Sequence, residues 1–457
     1  MGLLSGFTRG LRAAFGYDAL DTAGKRVSMV SMSEDRVLDR SARTGLTESV
    51  REAERNFTLA GFAIRKHIQY MSEFRFSCDT DDESFNNLVE ALFRRWANDP
   101  QRCHAQKRHA FPKLLTLIER LRLTDGDVGV VRCQGGALDI IESDRIRSEW
   151  SEETDPLTVQ GVHLDENGAN KFYEIWRRPT WGGSYEKQRD VPADMMDLIG
   201  YFDRHDQVRG VSPLAPAVKA LYQLSDGIDY ALAKMKLEQL IGLVTKRLPE
   251  AESLGRVELD QQAGQWREEF GKGLKHLDLS VDETAEFLTG DTPSQNFQSF
   301  TEFVIRLILA ALDVPYSFLD GSKTNYYGSK GELNGYINGC RKRQEEMIVW
   351  LNKLTRWLLA GWVLDGSLRL PAGMTPQDIP FTWVGAGTPF WRLIDDSKGY
   401  QIAVQNGFTN PEAVCNEHGG NFYDNIDRTA ACLEYARQHG ITLPWDPDVM
   451  GKVNTGL

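Results

Sequence analysis

The sequence predicts an α+β fold dominated by helices, two of them much longer than a globular core requires. Three observations carry this. Over much of the 457 residues apolar side chains recur at three and four positions, the helical period. Across 127–176 they alternate instead, with turn residues between the runs, which is the strand pattern. Two segments, 216–246 and 332–364, hold a helical stripe for about 30 residues each, on the order of 45 Å at 1.5 Å per residue. Helices in globular proteins average only about 10–14 residues, so these two read as struts.

Composition sets the outer limits. With 41% hydrophobic, 10% aromatic and 26% charged residues the chain is an ordinary folded protein, long enough for several domains. A formal net charge of −12 argues against a free-standing nucleic-acid binder, because clustered Lys and Arg supply phosphate affinity. An acidic wall past which DNA slides without sticking is compatible with that charge, and so is plain solubility. Six cysteines (Cys78, Cys103, Cys133, Cys340, Cys415 and Cys432) are dispersed with no CxxC, which suits synthesis in a reducing cytosol. The apolar run near the start is broken by Arg9 and Arg12, so neither a secretory signal nor a membrane span is expected.

The elements follow in order. Leu46, Val50, Ala53, Phe57, Ala60, Ile64, Ile68 and Met71 form one stripe and predict one long amphipathic helix. Phe85, Leu88, Val89, Leu92, Phe93 and Trp96 predict a second, with acidic residues at its positive N-terminal end. A third pattern covers 114–121. Strands are expected at DVGVVRC and ALDII around a QGG turn, then at GVHLD and NKFYEIW joined through Glu166, Asn167 and Gly168. Residues 177–208 read as a mixed loop.

Pro213 and Pro216 then open the first strut, since proline is tolerated only in a helix's first turn. Its stripe is Val218, Leu221, Ile228, Leu232 and Met235, with Ser225 the one polar member. Residues 248–294 turn polar and Gly-rich around Trp266, Phe270 and Phe287. The run FTEFVIRLILAALDVP is apolar on nearly every face up to Pro315, which implies burial on more than one side. A loop over 316–330 carries Gly321 and Gly328, residues that free the backbone. From Glu332 a heptad seam runs through Leu333, Ile337, Cys340, Gln344, Met347, Leu351, Leu354 and Leu358, suited to packing within a subunit or between neighbours. A short extended segment, IPFTWVG, and three short helices close the chain.

Chemistry is sparse. No GxxxxGK[ST], no GxGxxG after a strand, no HExxH and no GxSxG occurs, and Gly271-Lys272-Gly273 lacks the spacing and hydroxyl of a phosphate loop. No catalytic residue, cofactor or metal site is expected. Cys103, His104 and His109, or Cys415 and His418, do not compose a closed four-ligand pattern, and structural roles are the better reading. The alternative function is a metal-dependent hydrolase acting on nucleic acid through scattered carboxylates.

Several segments, in this order, resemble the portal proteins of tailed bacteriophages, closest to the lambda-like family: GYDAL with ESVREAERNFTLAGFAIRK, TDGDVGVVR with IIESDRI, RGVSPLAPAVKAL, LDVPYSFLDG with TNYYGSKGEL, and WVGAGTPFWRLIDDSKGYQIAVQNGFTNPE. The chain departs where the family tends to read Asn-Tyr-Ser-Ser and this sequence has Asn325-Tyr326-Tyr327-Gly328. The resemblance implies a portal fold with wing, stem, clip and crown, assembled as a ring of twelve subunits at one capsid vertex. It implies a wing over 1–212, a stem helix over 213–247 and a clip over 248–294. A second stem helix and tunnel loop would occupy 295–331, a channel-to-crown helix 332–364, and a crown region 365–457. Double-stranded DNA would pass without sequence specificity, and the partners would be the major capsid protein, the terminase and head completion or adaptor proteins, with no membrane. The protein would be made in the host cytoplasm and reside in the virion. Within the tunnel loop, Lys323 and Lys330 would meet phosphates, and Asn325, Tyr326 and Tyr327 would pack on neighbouring loops or the duplex.

Overall fold

The computed structural model describes residues 33–149, 155–179, 184–240, 244–247, 283–286, 295–385, 387, 392–443 and 445–446. The readings made for the first 32 residues, for Gly271-Lys272-Gly273 and for most of 248–294 lie outside them. Besides short helical turns, the helices are α1 (Arg40–Asn56), α2 (Thr58–Met71), α3 (Glu83–Asn98), α4 (Phe111–Asp125), α5 (Ala215–Leu240), α6 (Gln295–Ala310), α7 (Tyr326–Leu364), α8 (Leu393–Gln405), α9 (Pro411–Glu417) and α10 (Phe422–Gln438). The strands are β1 (Phe74–Cys78), β2 (Asp127–Arg132), β3 (Leu138–Glu142), β4 (Thr158–Val159), β5 (Val162–Leu164), β6 (Asn170–Arg177), β7 (Glu186–Pro192), β8 (Met196–Gly200), β9 (Val244–Arg247), β10 (Glu283–Glu286) and β11 (Phe381–Gly385). No helix among the described residues is long and apolar enough to cross a membrane.

The chain divides into two compact units. The first comprises Met1–Arg51, Phe76–Ser212 and Ile348–Trp383. It contains a three-stranded antiparallel sheet in the order β3-β2-β8 and a four-stranded one in the order β4-β5-β6-β7. Inward residues from both, among them Val131, Ile141, Val162, Tyr173, Ile175 and Met196, share one core. Gly129 lets the Met196 methyl pack against the strand, 2.1 Å from where a Cβ would stand, so a side chain there would require Met196 to move. The β5–β6 hairpin predicted at Glu166–Gly168 is present: Asp165 Oδ1 accepts from Asn167 N and Ala169 N, and Gly168 takes the left-handed φ of +82°. In contrast, 177–208 is not a loop but supplies β7 and β8. The β7 sequence EKQRDVP buries only Val191, so it carries no apolar alternation to announce a strand.

A second core of the same unit gathers Cys78, Phe85, Val89, Leu359, Leu368 and Ile379. Beside it, Phe76 and Phe93 rings lie 4.7 Å apart and Trp96 lies 4.8 Å from Phe111. Two of the buried indoles keep hydrogen bonds, Trp383 Nε1 to Thr355 Oγ1 at 3.0 Å and Trp96 Nε1 to Gly136 O at 2.8 Å, whereas the buried Trp350 Nε1 has no partner among the described residues.

The second unit comprises Glu52–Arg75, Pro213–Met347 and Val384–Leu457. Ala53, Ala60, Ala217, Leu221 and Ile308 form its core, from the end of α1 together with α2, α5 and α6. The single helix expected over 46–71 is two, because Phe57 leaves the helical conformation (φ −106°, ψ 113°) and sets its ring edge-on to Tyr222 at 5.2 Å. The strut expected to reach residue 246 ends at Leu240, and Val244–Arg247 pairs antiparallel with Glu283–Glu286, a use that suits β-branched Val244 and Thr245. The apolar helix before Pro315 stops at Ala310, where Asp313 adopts φ +56° and Val314 N bonds Leu309 O. Its expected burial on several sides is not met within the chain: Ile308 and Leu309 are buried, but Phe300, Phe303 and Leu307 are exposed. The strand at 381–385 and the three closing helices match expectation.

Candidate nucleic-acid interface

The loop expected to face DNA is shorter and better held than its glycines suggested. Helix α7 begins at Tyr326, six residues before the expected Glu332, so Tyr326, Tyr327, Gly328 and Lys330 are helical. Asn325 starts it: its Oδ1 accepts from Gly328 N at 2.8 Å and its carbonyl from Ser329 N at 2.9 Å, the N-cap arrangement. The Thr324 and Ser329 hydroxyls meet at 2.6 Å. Upstream, Tyr316–Phe318 and Gly321–Lys323 are 3-10 turns, and Asp320 Oδ1 closes the second by accepting from Ser322 N. Ser317 Oγ donates to Glu332 Oε2 at 2.5 Å and ties the loop to α7. Neither Gly321 nor Gly328 takes a positive φ, so the freedom expected of them is not in use.

The five candidate residues therefore separate. Lys330 Nζ is 2.6 Å from Asp396 Oδ1 on α8, and that bond holds the ammonium above the usual lysine range. Asn325 is committed to the cap. Tyr326 stands 5.9 Å from the Arg392 guanidinium and edge-on to Tyr327. Tyr327 is 81% exposed, against 37% for Tyr326. Lys323 ends its 3-10 turn, and its side chain is outside the description.

About three turns further along α7, Arg341 Nη2 bonds Glu417 Oε1 at 2.8 Å. Burial would raise the Glu417 carboxyl, but Arg341 and Tyr400 outweigh it and hold it below the usual range. Burial, then Glu417, push the Tyr400 phenol up to about 12. Between α7 and α8 these groups line a cleft of about 610 Å3. Sequence reading missed Arg341, Asp396, Tyr400 and Glu417 as partners of this region. The acidic pair Asp395-Asp396 in the first turn of α8 was the available signal.

The rival chemistry depends on carboxylates converging on a cation. Among the described residues, Asp125, Glu142 and Asp144 form such a group, with oxygens within 4.8 Å of one another. Guanidinium groups already occupy it. Arg51 reaches Asp125 Oδ1 at 2.8 Å, Glu142 at 3.0 Å and Asp144 at 3.1 Å, while Arg178 holds Glu142 and Asp144 from the other side. The Cys103 group is structural too: His104 Nδ1 accepts from Arg108 N and His109 N, and burial pushes the Cys103 thiol up to about 11.

Residues 24–344 match the sequence profile described as Phage portal protein, lambda family, which is well over half of the chain. The class is thus a structural viral protein, not an enzyme. The chain belongs to the lambda family of phage portal proteins. No curated protein matches it. In structure it is similar to a chain from the virion of a native gene transfer agent particle, at 15% identity and TM-score 0.45, covering 82% of this chain and 93% of that one. A chain from the neck of the native particle computed with C12 symmetry gives 14% and 0.45, covering 84% and 99%. An HK97 family phage portal protein from Corynebacterium diphtheriae gives 10% and 0.27, covering 65% and 84%.

Proposed function

We propose that the chain is the repeating subunit of a ring of twelve at one capsid vertex, through which double-stranded DNA is packaged and ejected. The observation that carries this is the family match over residues 24–344. On this reading 1–212 is the wing, 213–247 the stem, 248–294 the clip, and 365–457 the crown, with α7 linking channel and crown. The loop ending at Asn325 lies toward the channel, and exposed Tyr327 rather than ion-paired Lys330 is its foremost contact with the duplex. The clip receives the terminase and then the head completion proteins, the wing meets the major capsid protein, and the assembled ring resides in the virion after synthesis in the host cytoplasm. An acidic subunit suits a conduit, because few fixed cations grip the phosphates in transit.

Negative-stain micrographs of the purified chain, alone and with capsid protein, provide the test. Annular particles with a central hole are expected. A chain that stays monomeric at every concentration in both conditions sinks the proposal. The hydrolase alternative predicts chelator-sensitive cleavage of nucleic acid, and the arginine-filled carboxylate group offers it no support.

A further inference from the structure

We propose that the cavity beside α1 in the first unit is a binding site for one small oxyanion of the phosphate class. Its volume is about 310 Å3, near the lower end of the roughly 300–1,000 Å3 usual for small-molecule sites. Six arginines line it, Arg40, Arg43, Arg51, Arg147, Arg178 and Arg209, against two carboxylates, Glu48 and Asp144. These arginines are not equally satisfied. Arg51 and Arg178 share Asp125, Glu142 and Asp144, and Arg209 is bound to Asp127. Arg147 lies over the Tyr185 ring at 3.8 Å, and among the described residues no carboxylate pairs with it.

Arg43 is the decisive member. It is buried, its Nε donates to Gln160 Oε1 at 2.6 Å, and its Nη1 donates to Gly210 O. Its Nη2 is buried with no hydrogen-bond partner among the described residues, and the nearest carboxylate, Asp35, is 4.0 Å away. Asp35 is itself engaged, accepting from Val208 N and Arg209 N. Burial, together with the neighbouring Arg209 charge, pushes the Arg43 guanidinium down to about 10. The described residues thus leave this buried Nη2 without an acceptor, and an oxyanion in the cavity would supply one. Thr44 and Thr47 also line the cavity. Counting Asp35, Asp125, Asp127 and Glu142 behind the wall, the whole shell is near neutrality. That balance leaves no extended basic surface for a nucleic-acid backbone, and the one buried donor left unmet among the described lining residues, Arg43 Nη2, matches a single enclosed anion.

The test is calorimetric titration of inorganic phosphate into the full-length chain at constant ionic strength, with chloride as the balancing ion. Saturable binding near one phosphate per subunit is expected. Arg147→Gln, at the half-exposed wall, should weaken it about ten-fold or more while leaving the melting temperature in phosphate-free buffer nearly unchanged. Arg43→Gln should abolish it. No saturable binding at millimolar phosphate overturns the site, as does unchanged affinity in Arg147→Gln. Displacement of bound phosphate by a short DNA duplex at equal phosphate concentration also overturns it.

Discussion

Arg209 and Asp127 show what a buried charge requires. The guanidinium reaches Asp127 through Nε at 2.7 Å and Nη2 at 2.9 Å, and its remaining protons go to the carbonyls of Ile146, Gln160 and Ser143 and to the Ser143 hydroxyl. Asp127 also accepts from Gly210 N at 2.8 Å. Removing one partner strands the other, and such losses cost about 3–5 kcal/mol. Arg209→Ala should therefore lower the urea midpoint of the full-length chain sharply, whereas the apolar double variant Arg209→Met with Asp127→Leu should recover part of it. The pH dependence has a definite sign. Burial alone would raise the Asp127 carboxyl, but Arg209 and then Arg43 hold it below the usual carboxylate range. A depressed folded pKa contributes stability that is complete above the unfolded value of about 3.9 and is lost as pH falls through the folded one. Unfolding midpoints taken from pH 7 down to 2 should fall steeply below about pH 4 in the wild type and less steeply in the double variant.

At the scale of elements, α7 shows how far a periodic sequence can be read. All eight seam residues, from Leu333 to Leu358, are buried within the chain, so the seam is an intrachain core rather than a face kept for a neighbour. Even Gln344 fits, because its Nε2 donates to Tyr70 O at 2.6 Å. The opposite face carries Gly331 and Gly335, each with nothing within 4 Å of where a Cβ would stand. Gly335→Ala should stabilise the isolated chain by about 0.5–1 kcal/mol through helix propensity, read as a rise in its denaturation midpoint. A fall would mean that something packs closely there. Long stripes and the Asn-Gly hairpin were legible because each is a local pattern. The break at Phe57, the polar strand β7 and the early start of α7 were not, since each depends on a partner distant in sequence or on a cap. The candidate site was legible as a segment, but its electrostatics were not. Lys330 reads as available to phosphate in the sequence, whereas in the fold it pairs with Asp396, 66 residues away. Asp396→Asn should release Lys330, and a duplex-binding measurement at low salt should show affinity rising modestly, by a factor of about two to ten, consistent with one exposed ion pair.

For the whole molecule, the apolar surface left uncovered points to assembly. Phe300, Phe303 and Leu307 of α6 are 63%, 57% and 54% exposed, and they recur at three and four along one face. Ile228 and Leu232 on the distal half of α5 are likewise open. An isolated chain gains nothing from such a stripe, whereas a neighbouring subunit in the proposed ring would gain roughly 1.5–3 kcal/mol for each large side chain it fully buried. Phe303→Glu separates the two roles. As an exposed substitution it should change the stability of the single chain by no more than about 0.5 kcal/mol, yet it would put a charge into a subunit contact made through this stripe. Sedimentation velocity should show wild-type chain passing to a closed oligomer as concentration rises, with the variant remaining at subunit mass over the same range. Each subunit also carries a formal charge of −12, so closure works against like-charge repulsion. Raising ionic strength from 0.05 to 0.5 M shortens the screening length from roughly 14 to 4 Å, and the wild-type oligomer should form at lower protein concentration in the higher salt. An oligomer that salt dissolves would instead place the main contacts on ion pairs, and a Phe303→Glu chain that closes like the wild type would remove α6 from the interface.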